Sequence, residues 1–257
     1  MSKLEYKELL DAGVHFGHLT RKWDPKMAPY IFTERNGIHI IDLNKTLTSL
    51  DVACEAIKNI VRSGRKVMFV ATKKQAKEVV VAQAERLNMP FVTERWLGGM
   101  LTNFATVRKS IKKMSSIAKL EKDETYKYIA KRERLMLSRE KDKLNRVLGG
   151  ISDLTRLPAA LFVIDVKKEH IAIAEATKLN IPIFAICDTN SNPEIVDYAI
   201  PGNDDSFKAI KVITDAFASA IEEGLTERKK IREEKKQEDE VAAKKEADAP
   251  TEEVVEK

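Results

Sequence analysis

The chain has 257 residues, of which 43% are hydrophobic and 33% are charged, a composition typical of a globular protein with one sizeable core and an accessory element. No apolar run approaches the roughly 20 residues of a membrane-spanning helix, and the polar N-terminus predicts no secretory signal. The two cysteines, Cys54 and Cys187, lie in apolar stretches without Cys-x-x-Cys spacing. We therefore expect a reducing, cytoplasmic compartment, no disulfide framework, no zinc finger and no membrane partner.

The first 62 residues are predicted to precede the main sheet. Residues 4–11 have the pattern of a short helix, and residues 44–62 that of a longer one. Between them, residues 13–42 are predicted to be irregular, with one small strand at 38–41 after Asn36 and Gly37.

Short continuous apolar runs alternate with helical patterns from residue 66 onward. Such runs are typical of strands covered on both faces, and strands separated by helices form parallel βαβ units. The sequence therefore predicts an α/β fold with a doubly wound, mainly parallel sheet flanked by helices. The predicted strands are 66–71, 91–93, 160–165, 182–187 and 198–200. The predicted helices are 74–88, 169–179 and 206 to about 230.

Residues 105–149 break this pattern, because they indicate two helices joined by a turn near residue 123. The apolar residues of the first helix recur at offsets of four, three and four, which makes a seam too narrow for a broad core face. We predict an antiparallel helical hairpin, a coiled coil, that protrudes on the order of 30 Å and whose Gly149-Gly150 pair returns the chain to the sheet.

The predicted domain organisation follows from these elements. Residues 1–104 and 150–230 form one discontinuous α/β core, residues 105–149 form the basic hairpin insertion, and residues 231–257 form a charged tail. The tail alternates Glu, Lys and Ala without an aromatic residue, so we expect it to be disordered.

Positive charge is concentrated in the first 149 residues. Residues 1–104 carry 16 basic and 11 acidic side chains, and residues 105–149 carry 14 and 6. Residues 150–227 reverse the balance with 6 basic and 13 acidic side chains. A net charge of +8 over 45 residues exceeds what solubility needs, and it favours phosphate-backbone binding on that surface.

A doubly wound sheet raises the possibility of a nucleotide site, and an enzyme such as a nucleotide-dependent transferase is one alternative. The turns after the first and third core strands contain Thr72-Lys73-Lys74 and Val166-Lys167-Lys168. Neither contains the glycines that let backbone amides approach a phosphate, so we expect no cofactor, no small-molecule substrate and no catalytic residue.

A metal site is a further possibility, because His15, His18, Asp188 and the Asp204-Asp205 pair could converge. Separated ligands lack the compact spacing of a zinc motif, and the same groups could instead cap turns. We assign no metal, and the alternative stays open.

The segment from Arg95 to Phe104 contains Arg95 and Trp96 before a glycine pair. Arg95 and Trp96 could stack on and pair with RNA. Alternatively, Trp96 packs inside while the glycines form a tight turn into the hairpin. Residue chemistry alone does not decide between these interpretations.

The basic residues give the strongest functional signal, since Lys and Arg without a base-reading module indicate recognition of RNA shape and phosphates. Cations interleave with aromatic residues in one N-terminal loop and line both helices of the hairpin. The candidate RNA-binding residues, chosen chiefly by charge, are Arg21, Lys22, Trp23, Lys26, Arg35, Lys73, Lys74, Arg95, Trp96, Arg108, Lys109, Lys112, Lys113, Lys131 and Arg132.

Several motifs in fixed order carry a resemblance to a known family. They are Ala12-Gly13-Val14-His15-Phe16-Gly17-His18, Pro25-Lys26-Met27, Trp96-Leu97-Gly98-Gly99-Met100-Leu101-Thr102-Asn103, Phe162-Val163-Ile164-Asp165, Asp188-Thr189-Asn190 and Ile200-Pro201-Gly202-Asn203-Asp204-Asp205. With these motifs, residues 4–227 closely resemble the second protein of the bacterial small ribosomal subunit.

The resemblance implies a non-enzymatic ribosomal protein with a parallel α/β sheet and a protruding coiled-coil hairpin. It implies binding to small-subunit rRNA, a role in subunit assembly and translation, and contacts with neighbouring small-subunit proteins, including the large mRNA-capturing protein. A free coiled-coil adaptor is the remaining alternative, and longer apolar seams in the hairpin would have favoured it.

Overall fold

The computed structural model describes residues 4–123, 126 and 128–247. The strands are β1 (Phe16–Leu19), β2 (Ile31–Arg35), β3 (Ile38–Ile41), β4 (Val67–Val70), β5 (Phe91–Val92), β6 (Ala160–Ile164), β7 (Ile183–Cys187) and β8 (Tyr198–Pro201). The α-helices are α1 (Tyr6–Asp11), α2 (Leu43–Arg62), α3 (Lys74–Arg86), α4 (Phe104–Leu120), α5 (Lys131–Leu148), α6 (His170–Lys178) and α7 (Phe207–Ala247).

The N-terminal segment forms a small antiparallel sheet in the order β1-β3-β2. The prediction of an irregular segment with a single strand was therefore wrong for β1 and β2. Strand β2 is largely exposed, and β1 has two exposed and two half-buried residues. Both strands therefore lack the alternation of buried apolar residues from which strands are predicted. Asn36 and Gly37 form the β2–β3 turn with φ of 54° and 73°, the left-handed conformation typical of a tight hairpin.

The main sheet contains five parallel strands in the order β5-β4-β6-β7-β8, which confirms the predicted fold class. Its side chains alternate between two apolar cores. Phe69, Phe162 and Phe184 point into one core with Phe217 of α7, whose ring stacks on that of Phe162 at 4.3 Å between centroids.

Helices cover both faces of this sheet. Helices α2, α3 and α7 bury their apolar sides against the face that carries Phe69. The opposite face, with Met68 and Leu161, packs against α6 and residues 96–101. Burial on both faces explains why the central strands are continuously apolar.

Two helices, α4 and α5, lie within residues 104–148 and pack against each other. Ion pairs join Lys113 to Glu140 and Lys141 to Glu121. The base of the pair is nevertheless part of the main structure, since Ile111 and Leu148 belong to the same apolar core as Trp96. The hairpin is thus joined to the main structure at its base through these apolar contacts.

Helix α7 extends well beyond the predicted end near residue 230. It runs from Phe207 to Ala247, so residues 231–247 are helical where the sequence predicted a disordered tail, while 248–257 lie outside the described residues. Among the side chains that the structure describes, Leu225 is the last α7 residue in contact with the apolar core. Within the described residues, no helix combines the length and apolar character needed to cross a membrane.

Candidate nucleic-acid interface

A polar cluster lies at the carboxyl edge of the main sheet, where His18 of β1 meets aspartates that follow β7 and β8. His18 Nδ1 lies 3.0 Å from an Asp188 oxygen, and His18 Nε2 lies 3.4 Å from one of Asp205. Lys73, between β4 and α3, places its ammonium 2.7 Å from Asp204 and 2.6 Å from Asp205. The topology thus brings together residues more than 100 positions apart.

The charges in this cluster shift one another's pKa values. Burial raises the pKa of Asp204 to about 7, helped by Asp188 and Asp165 and opposed by Lys73. Burial alone would lower the pKa of Lys73, but Asp204 and the carboxylates around it raise that pKa above its ordinary value. The hydrogen bond to Asp188 raises the pKa of His18, against the effect of burial. Lys73 is therefore a charged side chain engaged inside the protein and not one presented to a partner.

The structure has features of both interpretations offered for this group of residues, a metal site and the capping of turns. His18, Asp188 and Asp204 offer ligand atoms that all lie within 4.8 Å of one another, an arrangement that suits a divalent cation. The neighbouring Asn203 caps a turn, because its side-chain oxygen accepts hydrogen bonds from the backbone N–H groups of residues 205 and 206. In the structure, Lys73 supplies the positive charge that balances the carboxylates.

The strand order changes direction between β4 and β6, where α/β proteins bind nucleotides. Side chains fill this crevice here. Glu169 accepts hydrogen bonds from the backbone N–H of Thr72 at 3.0 Å and from its hydroxyl at 2.5 Å, and the Lys168 ammonium donates to the Thr72 carbonyl at 3.1 Å. A backbone N–H that a phosphate loop would offer to a nucleotide is thus bound by the chain's own carboxylate.

Trp96 is buried, with 6% of its surface exposed, so the structure favours packing over base stacking for this residue. Its indole N–H donates to Glu175 of α6 at 3.1 Å. Glu175 also accepts hydrogen bonds from the backbone N–H groups of Gly99, Leu101 and Thr102 at 2.7–3.0 Å and from the Thr102 hydroxyl.

Glu175 therefore organises the segment that leads into α4. Burial acts to raise the pKa of Glu175, but the hydrogen bonds from Thr102, Trp96, Leu101 and Gly99 outweigh it and hold that pKa below its ordinary value. Gly99 has a φ of +87°, so the tight turn uses a conformation that side chains rarely adopt. The residues on either side of the buried Trp96, Arg95 and Leu97, are exposed.

The N-terminal candidate residues differ in the contacts that they make within the protein. Arg21, Lys22 and Trp23 follow β1 and are exposed, and the Trp23 ring contacts that of His39 at 5.0 Å between centroids. Lys26 is paired with Glu194. The side chain of Arg35, at the end of β2, is exposed, and among the described residues it has no carboxylate within ion-pair distance.

The candidate residues of the two hairpin helices are exposed, and most of them lack an acidic partner. Lys113 is the exception, because it pairs with Glu140. Among the residues that the structure describes, no carboxylate lies within ion-pair distance of the other hairpin candidates. The same is true of the exposed candidates Lys74 and Arg95, which lie outside the hairpin. Together, these residues are Lys74, Arg95, Arg108, Lys109, Lys112, Lys131 and Arg132.

Sequence reasoning overlooked an exposed apolar surface beside the small sheet, which we term the aromatic face. It consists of Tyr6, Leu10, Phe16 and Phe32, which line one cleft of about 390 Å³. Phe32 is 73% exposed and the others 44–48%. The available signal was four separate apolar residues, Tyr6 and Leu10 on α1, Phe16 in β1 and Phe32 in β2. Their meeting on one surface depends on the pairing of β1 and β2 with β3.

The fold and these surfaces define a class: an α/β protein that carries an inserted pair of basic helices. A family profile described as Ribosomal protein S2 matches residues 9–224, and the chain belongs to that family. The family is one of structural ribosomal proteins and not of enzymes, so the resemblance in the sequence is confirmed.

Individual relatives agree with the family match. The chain is 69% identical to the small ribosomal subunit protein uS2 of Cytophaga hutchinsonii, over 96% of this chain and 97% of that protein. It is 58% identical to the uS2 of Flavobacterium johnsoniae over 98% and 99% of the two chains. The uS2 of Bacteroides thetaiotaomicron is 61% identical over 89% of this chain and 82% of its own length.

Proposed function

We propose that this protein is a structural component of the small ribosomal subunit that binds rRNA and supports subunit assembly and translation in the cytoplasm. The observation that carries the proposal is the set of exposed cations on α4 and α5 that have no carboxylate within ion-pair distance among the described residues, in a chain that belongs to the Ribosomal protein S2 family. We infer the small ribosomal subunit as its location because its relatives are named as proteins of that subunit.

The contacts of each candidate residue refine the RNA-binding surface. Lys73 is neutralised by aspartates and Trp96 is buried, so neither is part of the surface that we propose. Lys26 and Lys113 each pair with a glutamate across an exposed contact, and such pairs contribute little free energy and can open for a phosphate. Lys26 and Lys113 can therefore join the proposed surface when their pairs open. The surface itself consists of the remaining residues: Arg21, Lys22, Trp23, Arg35, Lys74, Arg95, Arg108, Lys109, Lys112, Lys131 and Arg132.

Recognition of phosphates and RNA shape is the mechanism that these residues allow. Lys and Arg contacts to phosphates fix position and release condensed counterions, and they carry no base sequence. Among the candidate residues, Trp23, with 39% of its surface exposed, is an aromatic side chain that can stack on an unpaired base.

The aromatic face supports a second, protein-binding role within the same particle. Exposed aromatic clusters are typical of protein interfaces and rare on surfaces that stay in water. We propose that Phe32 and its neighbours dock a neighbouring small-subunit protein, with the large mRNA-capturing protein as the candidate suggested by the family resemblance.

Salt dependence of rRNA binding tests the main proposal. Each neutralised phosphate contributes a slope of about −0.9 in a plot of log affinity against log salt concentration, by analogy with duplex DNA. If six to ten cations engage, affinity for purified small-subunit rRNA falls by about 10³-fold or more between 50 and 200 mM salt. Binding that is insensitive to salt, or an absence of binding, contradicts the proposal.

A further inference from the structure

A groove separates α4 from the segment that follows α5. It has a volume of about 390 Å³, and its two walls are α4 and residues 152–155. Ile111 and Leu154 line it as well and are buried, with 7% and 6% of their surfaces exposed. The position of the groove is therefore fixed by the apolar core to which both residues belong. We call it the α4 groove.

Three cations line the helical wall of the α4 groove: Arg108, Lys112 and Lys119. With 3.6 residues per turn, spacings of four and seven residues put them on one face of α4, along about 16 Å of helix. Lys109 and Lys113 lie on α4 as well but do not line the groove. The structure thus distinguishes the cations of α4 that line the groove from those that do not, a difference that the basic sequence of α4 does not show.

The three cations are exposed, and within the described part of the chain none has a carboxylate within ion-pair distance. Other hairpin cations differ, since Lys113 and Lys141 are held by Glu140 and Glu121. Three like charges facing one groove repel one another. An anionic ligand that lies along the groove would relieve this repulsion.

Hydroxyl groups complete the lining from both walls. Ser115 comes from α4, and Ser152 and Thr155 come from the opposite wall. Ser152 contacts the carboxylate of its neighbour Asp153 at 3.4 Å. Hydroxyls beside Arg and Lys are the groups that proteins use for phosphate oxygens and sugars.

We propose that the α4 groove holds the sugar–phosphate backbone of an RNA strand, with Arg108, Lys112 and Lys119 on its phosphates and Ser152 and Thr155 on the facing side. This inference rests on the proposed function and assigns it a site. It adds Lys119, Ser152 and Thr155 to the RNA-binding residues. Among the described residues, those that line the groove offer cations and hydroxyls but no aromatic ring, so we infer a contact that is independent of base sequence.

Matched triple variants of the full chain test this site. The groove variant is R108Q/K112Q/K119Q. The control variant K122Q/R139Q/K143Q removes the same charge from exposed hairpin positions that line no part of the groove. Binding to small-subunit rRNA is measured from 50 to 200 mM salt for both variants and the unaltered chain. Circular dichroism checks that the helix content of both variants is unchanged.

We expect the groove variant to lose about tenfold or more in affinity and the magnitude of its salt slope to fall by about 2.7, which is 0.9 for each phosphate contact removed. The control variant changes affinity less than about threefold and the slope by less than 1. Equal effects of the two variants overturn the groove and leave the proposed function standing. Failure of the unaltered chain to bind rRNA overturns the proposed function itself.

A second variant, S152A/T155V, tests the opposite wall without changing charge. We expect it to weaken binding by about threefold while leaving the salt slope unchanged, because hydroxyl contacts release no counterions. Unchanged affinity means that the ligand touches only α4 and contradicts the groove. Inorganic phosphate at millimolar concentration serves as a competitor, and we expect it to displace rRNA no better than the same ionic strength of chloride. Selective displacement by phosphate indicates a site for a small anion and overturns the assignment to RNA.

Discussion

Glu175 shows how one buried side chain can set the path of the backbone around it. Its carboxylate receives five hydrogen bonds, three of them from backbone N–H groups of residues 99–102. Backbone groups in a tight turn have no partner in a helix or sheet, and burying them without one is costly. Glu175 of α6 thus stabilises a turn that lies more than 70 residues earlier in the chain.

Replacing Glu175 with Gln is expected to destabilise the protein by about 3 kcal/mol. The amide nitrogen of Gln would face groups that are themselves donors, which leaves at least one buried N–H unsatisfied. Urea denaturation at pH 7 measures the change. The control is Glu78→Gln on the exposed side of α3, which we expect to stay within about 0.5 kcal/mol.

The pH dependence of the Glu175→Gln effect has a defined sign. Hydrogen bonds hold the pKa of Glu175 below its ordinary value in the folded protein. Its contribution to the free energy of unfolding is therefore fully present above the unfolded-state pKa of about 4.3 and is lost as pH falls through the folded-state pKa. The difference between wild type and variant narrows on acidification below about pH 4, and a difference that widens there contradicts this account.

At the scale of elements, the junction between the hairpin and the sheet depends on close backbone contact. Gly150 lies in a short 3-10 turn after α5. A Cβ atom added there would clash with the backbone oxygen of Phe91 in β5. The return of the chain from α5 to the sheet thus requires a residue without a side chain.

Gly150→Ala is expected to cost about 2–3 kcal/mol of stability, because a backbone oxygen cannot move aside as a flexible side chain can. The matched control is Gly98→Ala, where an added Cβ would meet nothing within 4 Å and the expected change is within about 0.5 kcal/mol. Thermal unfolding of both variants measures the difference. Equal midpoints would show that the junction tolerates a side chain, against the contact described here.

At the scale of the whole molecule, charge is divided between surfaces. The hairpin sequence carries a net charge of +8, and residues 150–227 carry −7. Acidic residues of α7 pair with cations of neighbouring helices, as Glu222 does with Arg86 and Glu227 with Lys58. These pairs neutralise cations on that side of the sheet, whereas most of the hairpin cations that the structure describes have no carboxylate within ion-pair distance.

The end of α7 is predicted to be dispensable for folding and for rRNA binding. Removing residues 231–257 deletes 6 basic and 10 acidic side chains, and among the side chains that the structure describes Leu225 is the last α7 residue in the apolar core. We expect the free energy of unfolding to change by less than about 0.5 kcal/mol and rRNA affinity to stay equal or rise slightly, because the deletion removes a net charge of −4. A loss of affinity on truncation would assign the tail a binding role.

The sequence by itself determined the parallel sheet, its covering helices, the helical character of the insertion and its excess of positive charge. Each of these is encoded by periodicity or composition over 5 to 45 neighbouring residues, which local reasoning can detect. The family could be inferred from motifs that are contiguous in the sequence, such as Trp96 to Asn103.

The tertiary structure alone decided what each polar residue does. Lys73 and Lys112 look alike in sequence, yet one is neutralised by Asp204, 131 residues away, and the other faces an open groove. The sequence allows Trp96 to be a stacking residue, but in the structure its side chain is buried and its indole N–H donates to Glu175. Burial and charge pairing depend on which distant segments the fold brings within a few ångströms, and the local pattern of a chain does not specify those neighbours.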